Sequence, residues 1–280
     1  MRDMRMRGSD YLAITELPGS LLTNEQFSRF AHRYAVAAGL VSGARVLEVA
    51  CGAGVGLGYL AGRMAETAPA QVVGMDLTVG LLQEARARLP AAVALAGGDA
   101  HHLPFAPNSF DLALCFEAIY YLADAGAFLA EGRRVLAPGG TLVLCLTNPD
   151  WPDFVPGLLT TRYPSVPELA CSLEHAGFRH VRLYGALPVT AASRLQRMRH
   201  RLRRIVLKSR PALRLASRLG PWLRPWAARL MGLGDGVARP LPPALDAITV
   251  AQAIIGEGMT PLALDRPDRA HRVLYALATR

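Results

Sequence analysis

The sequence has few cysteines and no regular spacing between them. Cys51, Cys115, Cys145 and Cys171 are spread over a chain of 280 residues. Because no two of them have the spacing of a metal-binding or redox motif, they supply neither a disulfide framework nor a metal site. Such cysteine usage is typical of a reducing compartment. We therefore expect a cytoplasmic protein without a bound metal.

The sequence also lacks a long uncharged apolar run. A membrane-spanning helix needs about 18 or more consecutive apolar residues, and the best candidate, residues 211–231, is interrupted by arginines and prolines. The basic residues 1–7 are followed by Gly8-Ser9-Asp10 instead of the apolar stretch of a secretion signal. We expect neither a spanning helix nor a secretion signal.

Lysine is almost absent, since Lys208 is the only one, and the net charge of +9 comes from arginine. Between His175 and Gly234 there are 14 basic residues and no acidic one, whereas the rest of the chain is mildly acidic. The positive charge therefore belongs to one segment. It does not by itself favour a nucleic-acid-binding protein.

What the sequence does contain is a regular alternation of strand and helix patterns, with enough apolar residues (51%) for a sizeable core. Thr23 and Gln26 form a capping-box pattern, and apolar residues at helical spacing follow as far as Gly39. Strands are predicted at residues 45–50, 71–75, 92–96, 110–116, 141–146, 180–184 and 272–277, and helices at 55–67, 79–89, 127–136 and 166–176.

Strands that are apolar at every position, such as residues 142–146, indicate burial on both faces of a parallel sheet. The alternation predicts an α/β fold, namely a doubly wound, Rossmann-like, mostly parallel seven-stranded sheet with helices on both faces. Before the last strand lies an insertion of roughly 85 residues, too long for an ordinary loop. The predicted organisation is an N-terminal helical segment (1–40), an α/β core (41–184), a basic helical cap or insertion (185–270) and the last core strand (271–280).

A glycine-rich turn, Gly52-Ala53-Gly54, follows the first strand of the core. Ligands of open α/β sheets bind beyond the carboxyl ends of the strands. Glycines let the backbone approach a ligand closely, and amides at the start of the next helix attract a negative group. A dinucleotide fingerprint would need a third glycine where Leu57 or Tyr59 stands. The turn therefore predicts a small anionic or zwitterionic ligand.

The segment from Val46 to Gly54, with the acidic Glu48 before the glycines, resembles the first motif of class I S-adenosylmethionine-dependent methyltransferases. The resemblance continues through Asp76, Gly98-Asp99-Ala100, Leu103-Pro104-Phe105, Ser109-Phe110-Asp111 and Leu136-Ala137-Pro138-Gly139-Gly140. It covers about half of the chain. It implies S-adenosyl-L-methionine as cofactor and S-adenosyl-L-homocysteine as product.

By this resemblance the carboxylate of Asp76 binds the ribose hydroxyls and Asp99 the adenine amino group. Glu48 lies near the ammonium of the methionine part, and the residues after the fourth strand face the sulfonium methyl. Tyr34, in the helix before the first strand, is a further candidate contact, with packing as the plain alternative. The predicted cofactor-binding residues are Tyr34, Glu48, Ala50, Gly52, Gly54, Asp76, Leu77, Asp99, Ala100 and Phe116.

Glu117, His101 and His102 are the candidate catalytic residues. Glu117 follows the fourth strand and is a general base, a substrate anchor or a solvated carboxylate. The two histidines follow the adenine-reading pair and are either bases or exposed loop residues. Methyl transfer from a sulfonium is an in-line displacement, for which alignment supplies much of the rate, so that a base is optional.

The basic insertion contains an amphipathic helix pattern at residues 194–206, followed by Trp222 and Trp226. Four interpretations of the insertion are open: a lid that grips an anionic substrate, a surface for anionic lipid, a nucleic-acid groove or a solvated face. We favour the lid and the solvated face equally, and the nucleic-acid groove least. Peripheral membrane contact through residues 194–230 therefore stays open.

The leading hypothesis is a methyltransferase that acts on oxygen or nitrogen of a small molecule in bacterial secondary metabolism, with anionic molecules among the candidate acceptors. The alternatives are a methyltransferase-fold protein with other chemistry or a helper role, and a membrane-surface binding module. The identity of the acceptor and the oligomeric state are left open.

Overall fold

The computed structural model describes residues 15–41, 45–65, 71–157, 159–189, 239–253 and 258–280. Its helices are α1 (Asn24–Ala38), α2 (Leu57–Ala65), α3 (Val79–Arg86), α4 (Ala125–Val135), α5 (Val166–His175) and α6 (Ala247–Ala253). Its strands are β1 (Leu21–Leu22), β2 (Arg45–Val49), β3 (Gln71–Asp76), β4 (Val93–Gly97), β5 (Phe110–Phe116), β6 (Leu136–Thr147), β7 (Arg179–Pro188), β8 (Arg239–Pro240), β9 (Thr260–Pro261) and β10 (His271–Thr279).

Eight of these strands form one sheet in the order β4-β3-β2-β5-β6-β10-β7-β9. The first five are parallel to their neighbours, and β10 runs antiparallel between β6 and β7. The predicted doubly wound, mostly parallel sheet is thereby confirmed. The eighth strand is the two-residue edge strand β9, which the sequence pattern did not show.

Buried side chains lie on both faces of the central strands, as the apolar runs predicted. One cluster joins α1, α2 and α6 to one face, and the other joins α4 and α5 to the opposite face. Leu114 and Leu144, on neighbouring strands, are fully buried. The sheet is thus a rigid platform whose strand ends can hold side chains in fixed positions.

Helix α1 begins as its capping-box pattern predicted. The Thr23 hydroxyl accepts a hydrogen bond from the Gln26 amide, and the Gln26 side chain accepts one from the Thr23 amide. The buried face of the helix includes Phe27, Phe30 and Tyr34. This face places Tyr34 above the glycine-rich turn.

Strand β6 starts earlier than predicted. Its first residue is Leu136, which pairs with Phe110, and the register then shifts so that Leu112 pairs with Thr141. The predicted turn Pro138-Gly139-Gly140 is therefore an irregularity within the strand, where Gly139 has φ +80°. The residues on both sides of the turn pair with β5, which apolar periodicity alone does not show.

The described end of the basic insertion packs on the core. Strand β8 pairs with β1, Leu241 and Leu245 are buried, and the Leu245 amide donates to the Val55 carbonyl at 3.3 Å. The amphipathic pattern at 194–206 and both tryptophans lie outside the described residues. The division into four segments stays a prediction. Within the described ranges, every helix is too short or too polar to cross a bilayer.

Candidate active site

The carboxyl ends of β2, β3, β4 and β5 open into one cavity of about 1550 Å³. Such a position is the usual ligand site of a doubly wound sheet. Every predicted site residue lines this cavity: Tyr34, Glu48, Ala50, Gly52, Gly54, Asp76, Leu77, Asp99, Ala100, His101, His102, Phe116 and Glu117. The roles given to them stay predictions, but their convergence is a property of the fold.

The glycine-rich turn is held in place by the end of β3. One carboxylate oxygen of Asp76 accepts from the Gly52 amide and the other from the Thr78 amide, each at 2.8 Å. Gly52 and Gly54 have positive φ angles of +57° and +69°, a region that glycine enters without steric cost. Because each carboxylate oxygen has two lone pairs, Asp76 can order the turn and still accept from a ligand hydroxyl.

Tyr34 closes the cavity from the side of α1. A Cβ on Gly56 would lie 2.0 Å from the Tyr34 ring, so the glycine gives the ring its place. The ring meets Phe116 edge to face, with centroids 5.5 Å apart, and the hydroxyl donates to Glu48 Oε1 at 2.7 Å. Tyr34 therefore links α1 to the strand end that carries Glu48.

Glu48 is buried, with 2% of its surface exposed. Burial raises the pKa of its carboxyl to about 7, with a further increase from Asp76, although the Tyr34 hydroxyl and the charge of Arg33 act in the opposite direction. Oε2 of Glu48 has no hydrogen-bond partner among the described residues. An ammonium group is a suitable partner for such an oxygen.

Asp99 and His101 form a small network at the predicted adenine end of the cavity. Asp99 Oδ1 accepts from the His101 amide at 2.9 Å and contacts His101 Nδ1. His101 Nε2 accepts from the Asp124 amide at 3.2 Å, which leaves the ring proton on Nδ1. Burial would raise the pKa of Asp99, but the hydrogen bonds from His101 outweigh it and hold the pKa below its usual value. His102 is exposed at the cavity mouth.

Glu117 is the acceptor in a dense network. Oε1 accepts from Arg29 at 2.7 Å, and Oε2 accepts from the hydroxyls of Tyr120 at 2.6 Å and Thr147 at 3.1 Å. Burial would raise the pKa of Glu117, but the charge of Arg29 and the Tyr120 hydrogen bond outweigh it and lower the pKa. A carboxylate held ionised in this way is a weak base and a firm anchor.

Several charged or polar residues of the cavity wall were not among the predicted ones, and they include Glu16, Arg29, Arg33 and Thr147. Arg33 is buried and ion-paired with Glu16, and its guanidinium carbon lies 4.5 Å from the centre of the Phe30 ring. Arg29 and Arg33 are four residues apart and flank the apolar face of α1. That spacing was the available signal, since the two basic residues border the side of the helix that faces the core.

Comparison with known proteins agrees with this geometry. Residues 47–144 match the family model described as a methyltransferase domain. This part of the chain is a class I S-adenosylmethionine-dependent methyltransferase domain. The cofactor of such domains is S-adenosylmethionine.

Two relatives resemble the methyltransferase domain in sequence. Phthiotriol/phenolphthiotriol dimycocerosates methyltransferase 1 of Mycobacterium ulcerans is 44% identical over 105 residues, 37% of each chain. A probable S-adenosylmethionine-dependent methyltransferase of Mycolicibacterium smegmatis is 34% identical over 168 residues, 58% of this chain and 62% of that protein. The chain therefore spans less than two thirds of the length of these relatives.

A solved structure resembles the whole chain in fold. It is phosphoethanolamine N-methyltransferase 2 of Haemonchus contortus in complex with S-adenosyl-L-methionine, with a TM-score of 0.55. The sequence identity is 16%, and the match covers 100% of this chain and 61% of that one. At this identity the likeness concerns the fold alone.

The residues of the methyltransferase domain fit the cofactor. The unpartnered buried oxygen of Glu48 suits its ammonium, the glycines leave room for its methionine part, and Asp76 retains free lone pairs for ribose hydroxyls. When bound, S-adenosylmethionine supplies a methyl group on a positively charged sulfur.

Proposed function

We propose that the protein catalyses the transfer of a methyl group from S-adenosylmethionine to oxygen or nitrogen of a small molecule. One observation carries the proposal: a single cavity gathers an acidic residue from the end of each of four neighbouring parallel strands. These residues are Glu48 in β2, Asp76 in β3, Asp99 after β4 and Glu117 after β5. From β2 to β4, the residues Glu48, Asp76 and Asp99 follow one another across neighbouring strands. The methionine, ribose and adenine parts of the cofactor would need partners in this same order.

The size of the cavity supports a second ligand beside the cofactor. Pockets for drug-sized molecules have about 300–1,000 Å³, whereas this cavity has about 1550 Å³. Its wall also includes Tyr120, Tyr121 and Thr161, and the Tyr120 ring stacks on Tyr163 with centroids 4.3 Å apart. We assign this aromatic wall to the acceptor.

The proposed reaction depends on alignment rather than on a strong base. Arg29 and Tyr120 hold Glu117 in its ionised form, and both ring nitrogens of His101 are engaged. The acceptor's lone pair would form the new bond to the methyl carbon as the bond to sulfur breaks, and the acceptor's proton would leave to solvent. The rate would come from positioning of the acceptor in line with that bond. Glu117, through Tyr120, would position the acceptor.

Between oxygen and nitrogen we favour a hydroxyl group, on the strength of the name of one relative. The Mycobacterium ulcerans relative is named for phthiotriol, a name that denotes a triol. We place the reaction in the cytoplasm, in line with four free cysteines among the described residues, and we keep bacterial secondary metabolism as its proposed setting. The basic insertion would serve as a cap over the acceptor, and any membrane contact through residues 194–230 stays a prediction.

The experiment measures cofactor binding first and methyl transfer second. Calorimetry with S-adenosylmethionine is expected to show binding that weakens at least about tenfold in Asp76→Ala, since a lost charge-assisted hydrogen bond costs about 1.5–3 kcal/mol. Incubation with methyl-labelled cofactor and a panel of phenols, enols and amines should then give a labelled product. No cofactor binding, or an Asp76→Ala variant that binds as tightly as the wild type, would overturn the proposal.

The same experiment separates the leading proposal from the non-methylating alternative. One outcome is that S-adenosylmethionine binds and keeps its methyl group while a small-molecule substrate is converted to another product. In that case the domain uses the cofactor site for chemistry other than methylation. Mass spectrometry of the protein-bound nucleoside distinguishes the two outcomes.

A further inference from the structure

A second cavity lies beside the candidate active site, between the first turns of α4 and α5. Its volume is about 600 Å³, within the range of about 300–1,000 Å³ that is usual for small-molecule pockets. The larger apolar side chains of its described wall are Ile119, Leu122, Leu129, Pro164, Pro167 and Leu169. Ile119, Leu129 and Leu169 are almost fully buried. An apolar group placed in this second cavity would therefore lose much of its contact with water.

The two cavities share a rim. Four residues line both of them, namely Leu122, Ala123, Asp124 and Thr161. Ala123, Asp124 and Thr161 are exposed, so the boundary is open at the surface and is not a buried partition. One molecule could therefore extend from one cavity into the other across this rim without displacing the core.

Hydrogen bonds fix the rim from both sides. The Thr161 amide donates to the Tyr120 carbonyl at 2.8 Å, and the Thr161 hydroxyl donates to the Leu122 carbonyl at 2.9 Å. The Asp124 amide donates to His101 Nε2 at 3.2 Å, and the Asp124 side chain caps the start of α4. The folded chain therefore holds the two cavities in one relative position.

The polar side chains of the second cavity already have partners within the chain. Arg162 and Glu168 form an ion pair, and the Ser172 hydroxyl donates to the Glu168 carbonyl at 2.8 Å. The sulfur of Cys171 lies 3.2 Å from His175 Nδ1. These pairs leave apolar contact as the main interaction that the second cavity offers to a ligand.

The active-site cavity offers the opposite chemistry, because Glu48 Oε2 and Arg33 Nε are buried there without a hydrogen-bond partner among the described residues. We propose that the second cavity binds a hydrocarbon tail of the acceptor, whose hydroxyl or amino group lies in the active-site cavity. The acceptor is then an amphipathic small molecule with a polar head. Burial of the tail supplies binding energy far from the reacting atoms, which helps to hold the head in line with the methyl group. The inference rests on the proposed function and goes beyond it in naming the class of acceptor.

The test compares 4-methylphenol, 4-propylphenol and 4-hexylphenol, each in the presence of S-adenosylhomocysteine. Calorimetry measures their affinity, and Ellman's reagent measures the reactivity of Cys171, which is exposed and lines the second cavity. Each methylene group that enters the second cavity should tighten binding about twofold to fourfold, the upper value for full burial. 4-Hexylphenol should slow the labelling of Cys171, whereas 4-methylphenol should not. Neither measurement needs methyl transfer or a variant.

Variants then locate the tail. Ala125→Phe and Cys171→Phe each place a ring in the second cavity, the first from α4 and the second from α5. Both should bind 4-hexylphenol no more tightly than 4-methylphenol and should bind S-adenosylhomocysteine as the wild type does. Glu174→Phe is the matched control, because Glu174 is exposed on α5 and lies outside the described walls of both cavities. It should keep the wild-type dependence on chain length.

Two results would overturn the assignment of the tail. One is a wild type that binds 4-hexylphenol no better than 4-methylphenol and leaves Cys171 unprotected. The other is a dependence on chain length that persists in both filled variants, which places the tail elsewhere. Methyl-labelled S-adenosylmethionine separates this inference from the proposed function. Equally efficient methylation of all three phenols supports the reaction and contradicts the tail, whereas protection of Cys171 without any methylation supports the tail and contradicts the reaction.

Discussion

Ala50 holds its backbone at φ +59° although it carries a Cβ. For a non-glycine residue the left-handed region costs about 1–2 kcal/mol, and strain of this kind is common at ligand sites. Ala50 lies between β2 and the glycine-rich turn, so its conformation turns the chain toward the cavity. Glu117, directly after β5, has φ +51°, so its backbone also turns the chain toward the cavity.

The variant Ala50→Gly is expected to be more stable than the wild type. It relieves about 1–2 kcal/mol of left-handed strain but loses about 0.5–1 kcal/mol in chain entropy, which leaves a net gain of up to about 1.5 kcal/mol. Urea unfolding measures it. Ala53→Gly is the control, because Ala53 is buried and has no positive φ, and it should be destabilised. Destabilisation of both variants alike would contradict the assigned strain.

Glu48 gives stability a pH dependence of its own. Its pKa is about 7 in the folded chain because of burial, against 4.5 for an ordinary glutamate. Between these values the folded chain keeps a proton that the unfolded chain loses, so the contribution of Glu48 to stability falls as the pH rises through this window. In Glu48→Gln the unfolding free energy should lack this decline. The difference between the two pH profiles, measured by urea unfolding of the ligand-free proteins, isolates the effect, and parallel profiles would refute it.

Among the elements, the contact between α1 and the start of α2 controls the site. Tyr34 reaches Glu48 only because Gly56 leaves its ring room. The neighbouring Gly58 and Gly62 of α2 have no such close contact. Of these three glycines, therefore, only Gly56 lies where a side chain would collide with a neighbouring ring.

Gly56→Ala should move the Tyr34 ring and weaken both stability and cofactor binding. Overpacking of a buried contact costs about 1–3 kcal/mol, and displacement of Tyr34 removes its hydrogen bond to Glu48. Gly62→Ala, with open space around its added methyl group, should instead gain up to about 1 kcal/mol from helix propensity. Thermal unfolding and cofactor calorimetry of the pair check this, and equal behaviour of the two variants would exclude the role given to Gly56.

The strands and most helix boundaries were predictable because apolar runs and capping residues are local signals. The Thr23–Gln26 capping box and the strand Phe110–Phe116 were correct to the residue. The start of β6 and the two-residue strands were not, because their pairing depends on which backbone lies alongside. Such short pairings leave no periodicity to read.

The candidate site divides in the same way. Motif residues such as Asp76 and Asp99 could be placed because each follows a recognisable strand. For Arg33 the only signal was its spacing from Arg29, and for Glu16 there was none, because their ion pair joins α1 to the segment before it. Pairing across such distances is a property of packing, which a single sequence does not display.

At the scale of the whole molecule, two distant segments close over the domain. Gly19 donates to the carbonyl of Leu241 at 2.8 Å, and Arg88 donates to carbonyls of both Ala53 and Pro243. The chain before α1 and the end of the basic insertion are therefore joined beside the cofactor turn. Binding of the cofactor and the position of the insertion should be coupled through these contacts.

Burial across the molecule also predicts which thiols react. Cys51, Cys115 and Cys145 are buried, and burial raises the pKa of the Cys145 thiol to about 12 and that of Cys51 well above its usual value. Cys171 is exposed on α5. Native protein should therefore release one equivalent of thiolate from a disulfide reagent such as Ellman's reagent, and denatured protein four. Cys171→Ser should abolish the native reaction, and rapid labelling of a second cysteine would show an opening of the core.

The buried carboxyl of Glu48 has a last consequence for the energetics of ligand capture. Near neutral pH part of the free protein carries a proton on this group, whereas a cationic ligand favours the deprotonated form. Binding must then expel a proton into the medium. The observed heat will include ionisation of the buffer, so that titrations in phosphate and in Tris at one pH should differ in enthalpy by an amount that reports the number of protons released.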